Sequence, residues 1–214
     1  MGAAVRDAVP PPRLVLATTN AGKVAELRRL PALLGWRVVS LDDVGFGQEL
    51  LEPGPGYLEN ALAKAAAVER ATGLHALADD SGIEVDALRG WPGPASARWL
   101  GELATDRQRL LGLLDEVRRH CPDEPQVRYV CVAALARPGA EPVAARGECL
   151  GELVEPRGER GFGYDPGFLS SDLGTTFGEA SDADKDRVSH RARAVRRLAE
   201  AGVLDTSLAQ PQRW

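Results

Sequence analysis

The sequence predicts an α/β fold built on a long mixed β-sheet with flanking helices. Two observations carry this. In the first half, short apolar runs alternate with helical patterns, as parallel strands joined by helices require. In the second half, two long strand-like runs follow one another directly, as in an antiparallel hairpin. The 214 residues suffice for one domain with its own core.

Residues 13–18 read as a short buried strand. Asn20 caps a helix over residues 21–30, with Val24 and Leu27 facing inward. Pro31 interrupts that helix, and residues 36–41 read as a second strand. A Gly/Pro/Glu-rich loop covers 45–56. Residues 57–72 give the clearest helix, rich in Ala and Leu and ended by Gly73. A third strand, 75–78, runs into Asp79-Asp80-Ser81-Gly82. Residues 89–98 read as a Gly/Pro loop. Thr105 opens a helix to about residue 119, with Gln108 completing a capping box. Residues 126–136 and 142–152 read as paired strands, 158–167 as a glycine-rich loop, and Ser189 starts a last helix ending near Gly202. Residues 1–12, with Pro10-Pro11-Pro12, are expected to be a disordered leader. Residues 13–202 form a single domain, and 203–214 a fraying C-terminal tail.

Composition narrows the function. The formal net charge is -5, so a broad basic face for nucleic acid is not expected, although one pocket can still be positive. No apolar run approaches the ~18 residues of a membrane span, and the first 13 residues show no secretory pattern. Cys121, Cys131 and Cys149 are odd in number and lack C-x-x-C spacing. That argues against a disulfide framework or zinc site and for a reducing, cytoplasmic setting.

Rare residues mark candidate chemistry. Only three of 26 basic residues are lysine, Lys23, Lys64 and Lys185, and the only asparagines are Asn20 and Asn60. Lys23 falls in a first helical turn after Thr18-Thr19-Asn20, where a cation opposes the helix dipole. A bound phosphate would reverse that sign. Asn60 and Lys64 share a helix face, for which a solvated surface is the bland alternative. Asp79 and Asp80 should point to opposite sides of an extended chain and so hold different jobs. One can bind Mg²⁺ or polarise water, and Glu52 is a plausible second carboxylate. In Gly161-Phe162-Gly163-Tyr164-Asp165-Pro166, Phe162 or Tyr164 can stack on a purine and Asp165 can accept from ring N–H groups. Ser189 is an ordinary N-cap, but His190 and Arg191 place cations at the helix's positive end. Asp184 and Asp186 are the bland compensation. The functional reading is donation to a purine 6-oxo oxygen.

Together these segments resemble the inosine/xanthosine triphosphate pyrophosphatase family. The matching residues are Thr18 to Lys23, Leu58-Glu59-Asn60-Ala61 with Lys64, Ala78 to Gly82, Pro92 to Arg98, Phe162 to Pro166, Lys185 and Ser189-His190-Arg191. The resemblance implies an α/β fold with two lobes around a cleft, usually a homodimer. It implies hydrolysis of non-standard purine nucleoside triphosphates (ITP, dITP, XTP) to the monophosphate and pyrophosphate. Asn20, Lys23 and Lys64 would hold the triphosphate, with Thr18 and Thr19 shaping the turn. Glu52 and Asp80 would position Mg²⁺, with Asp80 the base, and Ser81 would contact substrate. Phe162, Gly163, Tyr164 and Asp165 would line the base pocket, and Lys185, His190 and Arg191 would read the base edge. Thr19 and Ala95 depart from the family's usual Gly and bulkier residue, which bears on fine specificity rather than on a catalytic group. The rival reading is a nucleotide-binding regulatory module, which would need both pockets but no metal carboxylates.

Overall fold

The computed structural model describes residues 10–123 and 125–209, so residues 1–9 of the expected leader and 210–214 of the expected tail lie outside the described residues. The strands are β1 (Arg13–Leu16), β2 (Arg37–Val39), β3 (His75–Val85), β4 (Gln126–Arg137), β5 (Ala140–Leu153) and β6 (Phe168–Ser170). The helices are α1 (Ala21–Arg29), α2 (Tyr57–Thr72), α3 (Asp106–His120), α4 (Asp182–Val188) and α5 (His190–Glu200). The sheet runs β2-β1-β3-β4-β5-β6. β1 is parallel to β2 and β3, while β3 to β6 are antiparallel neighbours. This is the mixed sheet that the two halves of the sequence predict.

Asp79-Asp80-Ser81-Gly82 is not at a strand end. β3 continues through it, because Asp79, Asp80, Ser81 and Gly82 pair with Ala133, Val132, Cys131 and Val130 of β4. The antiparallel partner supplies backbone hydrogen bonds that override the turn propensity of Asp, Ser and Gly. Two short elements escape the sequence reading. β6 has three residues and exists by pairing with the end of β5. α4, Asp-Ala-Asp-Lys-Asp-Arg-Val, has no apolar stripe and is started by Ser181, whose side chain accepts from Asp184 N. The fraying expected after Gly202 does not begin there, since Leu204 is buried and its carbonyl accepts from Trp36 Nε1 at 2.8 Å.

Strand alternation sorts the core onto two faces. Leu77, Cys131, Ala133 and Leu135 pack with Ala194, Val195 and Leu198 of α5. Ala76, Ala78, Val132 and Ala134 pack with Ala61, Ala65 and Val68 of α2. Asp79 therefore falls on the α5 face and Asp80 on the α2 face. α5 seats very closely: a Cβ on Gly147 of β5 would lie 2.2 Å from the His190 carbonyl oxygen and 2.4 Å from Ala194 N. Gly→Ala inside a strand ordinarily gains stability through the unfolded chain. Here overpacking wins, and Gly147→Ala should destabilise by about 1–3 kcal/mol. Urea denaturation checks this, and an unchanged midpoint would mean that the helix is not held against the strand.

Candidate active site

A cleft of about 330 Å³ opens between the β1–α1 turn, α2, the middle of β3, the 162–165 loop and the start of α5. Every residue singled out above for the site lines it: Thr18, Thr19, Asn20, Lys23, Glu52, Lys64, Asp80, Ser81, Phe162, Gly163, Tyr164, Asp165, Lys185, His190 and Arg191. Asn20 is the N-cap of α1, and its side chain accepts from Lys23 N at 3.0 Å. Its own N–H donates to Thr18 Oγ1 at 3.2 Å, which fixes the turn.

The adjacent aspartates do divide the work. Asp80 accepts from Asn60 Nδ2 at 3.0 Å and from Lys64 Nζ at 3.4 Å. Asn60 and Lys64 are buried, not solvated. Burial pushes the Asp80 carboxyl above its ordinary range, more than Lys64 and Asn60 pull it down. Lys64 Nζ also donates to Glu52 Oε1 at 2.8 Å, and Arg98 Nη1 donates to Glu52 Oε2 at 2.6 Å. Asp79 lies wholly buried on the opposite face, paired with Lys23 Nζ at 3.1 Å and Arg191 Nε at 3.2 Å. Burial raises the Asp79 carboxyl, but Lys23, Arg191 and Lys64 outweigh it and hold it well below the usual range. The cation in α1's first turn thus already has a partner beneath it.

Lys185 and Arg191 are compensated by groups other than Asp184 and Asp186. Asp184 binds Ser181 and Arg187, and Asp186 binds Arg29. The neutralising carboxylate is Glu26 of α1, which takes Arg191 Nη1 and, at 2.5 Å, Lys185 Nζ. Lys185 also pairs with Asp165, and Arg191 Nη2 donates to Ser81 Oγ at 3.1 Å. Sequence reasoning missed Glu26. Its signal was the three-residue spacing from Lys23, which puts both on one helix face.

The aromatic wall is more committed than expected. Tyr164 is buried, donating to the Ser96 carbonyl at 2.7 Å and accepting from Trp99 Nε1 at 2.8 Å. It fastens a loop rather than offering a free face. Asp165 already accepts from Tyr129 Oη at 3.2 Å, Phe162 N at 2.8 Å and Lys185. Phe162 is half-buried, with Lys185 Nζ 5.2 Å and the Arg191 guanidinium 5.7 Å from its ring centre. His190 stacks on Tyr129 at 4.5 Å, and among the described residues its buried Nδ1 has no hydrogen-bond partner. Burial, with Arg191 and Lys185 nearby, holds His190 neutral, well below its ordinary range. Arg98, Asp106, Arg109 and Tyr129 also line the cleft and were given no role by the sequence.

Among the described residues no group of three or more His, Cys, Asp or Glu forms a metal cage. Glu52 and Asp80 nevertheless aim carboxylate oxygens at one cationic point, Lys64 Nζ. Two hard oxygen donors suit Mg²⁺, which fills its remaining positions with substrate phosphates and water.

A mixed sheet carrying lysines, arginines, paired carboxylates and an aromatic in one cleft defines a class: an α/β protein for a polyanionic ligand with a planar ring. The chain belongs to the Ham1 family, whose pattern it matches over residues 14–201. It is 49% identical over 190 residues to a dITP/XTP pyrophosphatase of Thermus thermophilus, covering 88% of this chain and 91% of that one. A dITP/XTP pyrophosphatase of Deinococcus radiodurans is 46% identical over 190 residues, with 88% and 92% covered. Among solved structures, a HAM1 protein from Coxiella burnetii superposes with a TM-score of 0.79 at 34% identity, covering 89% of this chain and 98% of that one. The Staphylococcus aureus Ham1 protein gives a TM-score of 0.78 at 31% identity, with 89% and 98% covered.

Proposed function

We propose that this protein hydrolyses non-standard purine nucleoside triphosphates (ITP, dITP, XTP) to the monophosphate and pyrophosphate, removing them from the nucleotide pool. The observation that carries the reading is Asp80: a buried carboxylate of raised pKa, beside Lys64 and Asn60, in the cleft that also holds the Asn20–Lys23 turn. Relatives across most of the chain that are named dITP/XTP pyrophosphatases support it.

In this mechanism a water attacks the α-phosphorus and the bond from that phosphorus to the bridging oxygen of the β-phosphate breaks. Asp80 takes the water's proton, and pyrophosphate leaves towards Lys23 and Lys64. Glu52 and Asp80 would hold Mg²⁺, which when bound supplies charge neutralisation on the anhydride. Phe162 gives the base a face. Lys185, His190 and Arg191 form the edge-reading end, where donors suited to a 6-oxo group would mismatch the amino group of ATP. A homodimer in the cytoplasm completes the reading. Exposed Leu58 and Leu150 are available to a second copy, and among the described residues no helix is long and apolar enough to cross a membrane.

The test is pyrophosphate release with Mg²⁺ from ITP, XTP and dITP beside ATP and GTP. Fast release from the first three and little from the last two is expected. Nucleotide binding with no release from any would replace the reading with a regulatory module.

A further inference from the structure

We infer that Arg98 is a mobile ligand of the polyphosphate tail, held on Glu52 until the nucleotide arrives; this rests on the reaction proposed above. Three observations carry it.

The first is charge. The phosphate end of the cleft gathers Lys23, Lys64 and Arg98 around Glu52, Asp79 and Asp80. Each of these three cations is already committed to a carboxylate, and Asp79, beneath the cleft floor, takes Arg191 as well. A triphosphate carrying one divalent cation still brings excess negative charge, and a carboxylate oriented to a metal leaves its former cation without a partner. A cation released from Glu52 is what the excess negative charge needs.

The second is mobility. Lys64 is buried and Lys23 is 15% exposed, whereas the Arg98 side chain is 48% exposed. Of the three, only Arg98 can swing without breaking packing. Its partner Glu52 sits in a segment without helix or strand. A half-exposed ion pair of this kind contributes little net stability, so exchanging it costs little.

The third is a fixed stem. The 93–99 loop is fastened from two sides. Ser96 Oγ accepts from Ile83 N at 2.9 Å and donates to the Gly93 carbonyl at 2.5 Å. Trp99 Nε1 and the Ser96 carbonyl both meet Tyr164 Oη. The loop also rests on β3 where only glycine fits, since a Cβ on Gly82 would lie 2.1 Å from the Gly93 carbonyl oxygen. Arg98 N donates to the Ala95 carbonyl at 2.8 Å. The backbone beneath Arg98 is therefore set, and only the guanidinium moves. Its planar fork suits two phosphate oxygens at once.

The products separate this role from a structural one, because pyrophosphate carries the leaving phosphates and IMP carries the base and α-phosphate. Titration calorimetry with Mg²⁺ should show Arg98→Ala binding pyrophosphate weaker by on the order of tenfold, with IMP affinity unchanged. Arg98→Lys, which keeps the charge but loses the fork, should recover part of the loss. Unchanged pyrophosphate affinity in Arg98→Ala, or equal losses for pyrophosphate and IMP, would overturn the inference and leave Arg98 as a latch on Glu52. Failure of the wild-type protein to bind either product would overturn the reaction itself, and this inference with it.

Discussion

Asp80→Asn is expected to lower kcat by about a hundred- to ten-thousand-fold, the range that a positioned general base supplies. Lys64 keeps Glu52 as its carboxylate, and burial already disfavours the Asp80 charge, so neutralising it should move the thermal midpoint little. Wild type has a second signature. Burial raises the Asp80 carboxyl, and a base works only when deprotonated. In the free enzyme, before Mg²⁺ and nucleotide bind, kcat/KM should therefore fall on the acid side, with an apparent midpoint above that of an ordinary aspartate. A pH–rate profile of kcat/KM reads this directly. In the Asn variant the residual activity should lose that acid limb. A fully active Asp80→Asn enzyme would remove Asp80 from the mechanism.

The neighbouring Asp79 is just as acidic a residue in the sequence but cannot take this part. It is wholly buried, does not line the cleft, and is held ionised by Lys23 and Arg191. The period of two in a strand was enough to foresee that the pair divides. Which member faces Lys64 was not legible, because that depends on the register of β3 against α2 and β4. The long helices and strands were readable for the same kind of reason: Tyr57–Thr72 is bounded as its Ala/Leu pattern and Gly73 suggest, and Thr105 with Gln108 forms its capping box. The errors fell where pairing partners decide. Turn-forming residues became mid-strand in β3, and three residues became β6 because β5 lay alongside. Single-residue chemistry was legible through scarcity, since all three lysines of an arginine-rich chain line one cleft. Counter-charges were not, because Glu26 looks like any helical glutamate until the fold sets Lys185 and Arg191 against it.

Glu26 should consequently be costly to neutralise, although it does not touch the reacting end of the cleft. Glu26→Gln preserves volume but leaves Lys185 with Asp165 alone and Arg191 with Asp79 and Ser81. Breaking a buried ion pair at one partner typically costs about 3–5 kcal/mol, far above the median for surface pairs. Guanidinium denaturation at neutral pH should show a loss of that size. The pH dependence separates charge from packing. Burial raises the Glu26 carboxyl, but Arg191 and Lys185 outweigh it, so its folded pKa lies below the ordinary 4.5. A depressed carboxylate stabilises the fold fully above its unfolded pKa and loses that contribution as pH falls through the folded one. The gap between wild type and Glu26→Gln should thus be full at pH 7, begin to narrow below about pH 4.5 as the unfolded wild-type chain takes up the proton, and be lost once pH falls through the folded pKa. Asp80, raised by burial, titrates with the opposite sign but is carried by both proteins, whereas Asp165, raised partly by the Glu26 charge, should titrate lower in the variant. A gap independent of pH would assign the loss to packing. One that closes on the acid side places the carboxylate's charge, and with it the alignment of Lys185 and Arg191 at the edge-reading end of the cleft, under the control of a single residue on α1.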